Sequence, residues 1–123
     1  MLTPIAYGLA IALNLLVVFI GARFLFAPRA AAAGYGVPAK EDGDAAYLTI
    51  KGLRDGTYAL VGLALLAFTG AHAEAWFMLA VALVPLGDTL IVLRHGGTRA
   101  IAFGIHLTTA VLVLLSAALL FAS

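Results

Sequence analysis

The sequence predicts an all-α fold: an integral membrane four-helix bundle of up-down-up-down topology. Three observations predict it. The composition is 64% hydrophobic and only 11% charged, against about 50% and 25% in soluble domains. Four apolar runs, 4–26, 46–69, 74–93 and 98–122, each reach the ~20 residues that cross a hydrocarbon core. Threaded up and down, these runs bring Arg23, Arg29, Lys40, Lys51, Arg54, Arg94 and Arg99 to one face. The opposite face keeps only His72, Glu74 and the chain ends.

Loops rich in Lys and Arg stay on the cytoplasmic side. The segment 27–45 and the turn after Arg94 are therefore expected inside, and both termini outside. The expected location is the cell's inner (plasma) membrane, crossed several times. Little chain is left for anything else, so 1–123 reads as one transmembrane domain. No basic, aromatic-interleaved patch suggests nucleic acid. The chain has no cysteine, which excludes disulfides and thiolate metal sites.

Helix 1 is expected to start at Thr3-Pro4, a capping hydroxyl followed by a proline that sacrifices no bond in the first turn. Its apolar run is longer than the ~7–15 residues of a signal peptide and no basic stretch precedes it, so it reads as an uncleaved span. Pro28 ends it, because proline cannot continue the hydrogen-bond ladder. The following segment to Asp44 is expected as a solvated cytoplasmic loop with turn signals at Gly34, Gly36 and Pro38. Asp42 or Asp44 is expected to cap helix 2. Helices 2 and 3 are joined by a short hairpin at Gly70–Ala73, after which Trp76 and Phe77 suit the outer interface. Helices 3 and 4 are joined at His95–Thr98, with Thr98 as cap. Short connections make neighbouring helices antiparallel.

Helix 2 carries the densest chemistry. Lys51, Arg54, Asp55 and Tyr58 follow i, i+3, i+4, i+7 spacing and share a face. Gly52 and Gly56 form a neighbouring small face that admits another helix closely. Asp55 lies roughly 14 Å inside the span at helical rise. In helix 3, Asp88 lies roughly 9 Å above Arg94 and shares a face with His95, while Pro85 breaks the ladder one turn earlier. In helix 4, His106 lies about 12 Å deep, on one face with Arg99 and Thr109.

Asp55, Asp88 and His106 thus occupy one slab of the cytoplasmic half. An ionised side chain facing lipid costs at least roughly 2.5–3.5 kcal/mol, so the three are expected to turn inward and meet. They are the candidate catalytic groups, with the carboxylates as acid and base and His106 as partner. Arg54, Tyr58, Lys51, His95 and Asn14 are the candidate ligand contacts. Asn14 sits near mid-membrane on the face of Tyr7, Ala10 and Gly21, and suits an interhelical hydrogen bond of ~0.6 kcal/mol. A structural role competes for the same residues. Arg54 with Asp88, or Arg94 with Asp55, would fix helix register, His106 would donate to a backbone carbonyl, and Arg23, Lys51, Arg94 and Arg99 would snorkel to the interface. No two ligands show a metal-binding spacing such as His-Glu-x-x-His, so neither a metal nor a cofactor is expected.

The stretches 51–56, Lys-Gly-Leu-Arg-Asp-Gly, and 86–97, with Gly87-Asp88 and Arg94-His95-Gly96-Gly97, followed by His106, resemble a family of small bacterial and fungal four-helix membrane proteins of unknown function. The resemblance covers nearly the whole chain. A looser likeness is to the DoxX-like four-helix membrane proteins. The resemblance implies the fold and supplies no substrate. The expectation for function is therefore a polar pocket in the cytoplasmic half that binds a small lipophilic ligand. Isomerase, cyclase or hydratase chemistry would suit its acid/base groups. Two alternatives remain open: a small proton-coupled transporter acting as a homodimer, and an accessory subunit that offers its Gly52/Gly56 face to a partner. The partners expected are membrane lipid, a lipophilic small molecule and a second copy of the chain, with no nucleic acid.

Overall fold

A computed structural model describes residues 2–40 and 43–123. Among these residues all regular structure is helical. Five helices follow one another: α1 (Leu2–Phe26), α2 (Pro28–Tyr35), α3 (45–69), α4 (Ala71–Arg94) and α5 (Arg99–Ala122). Three of them, α1, α4 and α5, are long and apolar enough to cross a membrane. Helix α3 carries Lys51, Arg54 and Asp55 in its first half and ends in a π-helical turn, Leu65–Thr69. Large apolar side chains such as Phe19, Leu60, Phe68, Trp76 and Leu83 point outward, as suits a membrane protein.

The segment expected as an open loop contains α2, which corrects that expectation. Pro28 does end α1, but it also occupies the first turn of α2, where its missing N–H costs nothing. Gly36 then closes α2 in the left-handed conformation (φ 100°). Its N–H and that of Val37 bond Ala33 and Ala32 carbonyls, both at 3.2 Å. Phe24, Ala31 and Ala32 bury together and dock α2 against α1 and α3.

Other boundaries also shift. Leu2 is already helical, so Thr3 lies inside the first turn and not at a cap. Asp44 precedes α3, yet its carboxylate accepts from the Lys40 N–H at 3.1 Å and caps nothing in the helix. Asp42 lies outside the described residues. The chain reverses at Gly70 alone, so α4 starts at Ala71, three residues before Glu74. Thr98 does accept from the Ile101 N–H, at 3.2 Å. Trp76 faces outward, whereas Phe77, one residue further round the helix, lines an internal void.

Helix α1 packs lengthwise on α3, α4 packs on α5, and α1 also touches α5, while α3 and α4 meet only sparsely. The α1–α3 contact is close because both surfaces are bare. A Cβ on Gly52 would stand 2.7 Å from the Gly21 carbonyl oxygen, and one on Gly21 would stand 2.8 Å from that of Gly52. The small face of α3 is therefore filled by α1 of the same chain. A second core of small and medium side chains (Ala6, Ala10, Leu66, Ala75, Ala117, Leu120) binds α1, α3, α4 and α5 at the end away from the basic residues.

Two departures from α-geometry shape the interior. Proline has no N–H to offer the carbonyl one turn back, and α4 is interrupted at Ala82, three residues before Pro85. Helix α5 widens into π-helical turns over Ala102–Leu107, a distortion frequent at functional sites.

Candidate functional site

The interruption in α4 and the wide turns of α5 face the basic end of α1 and α2, and a cavity of about 210 Å³ lies between them. Its walls are mostly apolar, from residues such as Val17, Ile20, Val84 and Ile105. Asp55, Asp88 and His106 all border it, together with Arg23, Tyr35 and Thr109. A smaller void of about 90 Å³ adjoins it and shares Val17, Asp55, Val84, Pro85 and Thr109 as walls.

Tyr35 is the centre of the polar arrangement. It is the last residue of α2, held there by the Gly36 cap. Its hydroxyl donates to Asp88 Oδ2. Its backbone carbonyl lies 2.7 Å from His106 Nε2. A carbonyl can only accept, so Nε2 is the donor in this contact. The Tyr35 ring lies 4.2 Å from the His106 ring and stands edge-on to Phe24 at 5.5 Å. Lys51 Nζ sits 4.3 Å from the centroid of Tyr35 and 4.4 Å from that of Phe24, within cation–π range. Burial, the neighbouring Asp88 carboxyl with its bond to the phenol, and then Asp55 push the Tyr35 pKa well above its usual range. The phenol is therefore a persistent donor.

Lys51 also pairs with Asp55 at 2.5 Å, one turn along α3. The two carboxyls thus take different partners, a cation for Asp55 and a phenol for Asp88. Neither Arg54–Asp88 nor Arg94–Asp55 is formed among the described residues. Asn14 is buried, donates to the Ala10 carbonyl at 2.9 Å and walls the smaller void, as does Tyr58.

Arg54 and His95 border neither cavity and are exposed. Arg54 falls outside because the bare face of α3 (Gly52, Ala59, Gly62) is the one turned inward. That rotation brings Asp55 to the cavity and leaves Arg54 to the rim. His95 follows the last turn of α4, and its Nδ1 folds back to within 2.9 Å of the Ile91 carbonyl. Tyr35, Arg23 and Thr109 are cavity residues that were not among the candidates. The signal for Tyr35 was the Pro28-to-Gly36 frame, a proline start and a glycine stop around one short helix. Among the described residues, no three His, Asp or Glu side chains gather as metal ligands would.

A family model described as a domain of unknown function (DUF4267) matches residues 14–120, and the chain belongs to that family. No curated protein and no solved structure matches it.

Proposed function

We propose that this member of a family of unknown function is a four-span membrane bundle with both termini outside, and that its cavity binds a small lipophilic molecule bearing one polar group. The observation that carries this reading is the gathering of Tyr35, Asp55, Asp88 and His106 around one mostly apolar cavity. The apolar walls suit a hydrocarbon body, and the carboxyls, the phenol and Arg23 suit a carbonyl, hydroxyl or alkene end. At about 210 Å³ the space falls below the ~300–1,000 Å³ of drug-sized pockets. The ligand is correspondingly small, or only one end of a longer lipid enters.

Proton transfer is the chemistry these groups can perform. Asp88 would take a proton from the ligand, or give one to it, while the Tyr35 phenol stabilises the carboxylate form by donating to it. His106 would hold Tyr35 in place through Nε2 and offer Nδ1 as a second base. Lys51 would hold the Asp55 carboxyl in place at the cavity through their ion pair. Isomerisation, cyclisation and hydration all proceed through proton transfers that positioned acid and base groups can provide.

Native mass spectrometry of the protein released gently from its own membranes tests this. A defined small molecule retained by wild type and lost in Asp88→Asn and His106→Ala, both still folded by circular dichroism, is the expected result. A bare chain, or one carrying only bulk lipid, would leave the cluster as structural ion pairing and overturn the reading.

A further inference from the structure

The end of the molecule away from the basic residues holds an ionisable group that the cavity cluster does not use. Glu74 lies in the first turn of α4, where an acid ordinarily faces water and complements the helix dipole. Here it is 0% exposed, and neither carboxyl oxygen has a hydrogen-bond partner. The Asn14 amide reaches toward it without closing a bond. Among the described residues, no cation pairs with it. Helix α1 brings Asn14, α4 itself carries His72, which is exposed, and Ser116 of α5 is another buried side chain without a hydrogen-bond partner. The second half of α3, 59–69, has no ionisable residue.

An unpaired carboxylate in such a place carries a heavy desolvation penalty. A neutral acid carries far less. Zero accessible surface also limits what Glu74 can take up. An ammonium group or a metal ion needs volume beside the oxygens, and a proton needs none. Asn14 and Asp55 both line the 90 Å³ void. That void is roomy enough for water, and Asn14, Asp55, Tyr58 and Thr109 are the polar residues among its mostly apolar walls.

We infer that Glu74 is a proton-binding site, a carboxylic acid buried in the apolar half, which exchanges its proton with the cavity past Asn14. Each exchange sends one proton to water in the void and takes one back, so no net charge is left behind. The site does not depend on whether the cavity holds a ligand.

The chain has two glutamates, Glu41 and Glu74, which permits a direct test. Full-length protein carrying glutamate labelled with ¹³C at the side-chain carboxyl is reconstituted in phosphatidylcholine bilayers. Its infrared spectrum is recorded at neutral pH, first in H₂O and then in D₂O. The expected result is one label-sensitive C=O stretch of a protonated acid that survives Glu41→Gln, disappears in Glu74→Gln and shifts down in D₂O. Asn14→Leu should slow that shift. Carboxylate bands alone in wild type would mean that Glu74 is ionised, and would overturn the inference without needing any variant. An acid band that never shifts in D₂O would make Glu74 a sealed structural acid and overturn the exchange.

Discussion

Tyr35 shows how one side chain sets the chemistry of its neighbours. Its phenol gives Asp88 a donor, its carbonyl orients His106, and its ring carries Lys51. Because its pKa is raised, the neutral phenol is the form that folding favours. That stabilisation is complete below the ordinary tyrosine pKa of ~10 and fades as pH rises through the higher folded value. Absorbance titration should therefore find one tyrosine of the four that stays neutral above the ordinary tyrosine range. Tyr35→Phe should remove that silent residue from the count and lower stability by about 1 kcal/mol, the usual worth of one hydrogen bond. A titration in which all four tyrosines ionise together would contradict the buried bond. Little of this was legible in the sequence. A single aromatic in an eight-residue helix has too short a frame to show periodicity, and the segment around it reads as turns. Glu74 was illegible for the opposite reason: an acid in a first turn looks like an ordinary dipole partner, and only the packed helices remove it from water.

At the level of helices, spacing told more. Asp55, Asp88 and His106 could be placed at a common depth by counting residues, because helical rise is fixed. The rotation of α3 about its axis was harder to judge. Its polar stripe and its glycine stripe are adjacent, and both cannot face inward. Packing decides for the glycines, since a backbone brought this close to α1 gains contacts over many atoms, and Arg54 is carried to the rim. The crossing at Gly21 and Gly52 should then be the least tolerant point of α3. Gly52→Leu should destabilise by about 1–3 kcal/mol, the usual cost of overpacking, or prevent folding. Gly8→Ala, where nothing lies within 4 Å of the new Cβ, should be neutral or slightly stabilising. Thermal melts in one detergent compare the two, and equal loss at both positions would argue against the close crossing.

For the molecule as a whole, the proposed orientation rests on the distribution of charge. The chain lacks cysteine, so single thiols can report it. Ser123→Cys should react with a membrane-impermeant maleimide added to intact cells, and Lys40→Cys should react only after lysis. The reverse pattern would invert the proposed topology. Helix pairing has a further consequence. The strong contacts join α1 to α3 and α4 to α5, so each half of the chain contains a packed helix pair of its own. The cavity is divided between the halves: Tyr35 and Asp55 come from the first, Asp88 and His106 from the second. The Tyr35 hydroxyl and carbonyl both take their partners from the second half, so the cluster around the cavity is completed only when both halves of the chain are present.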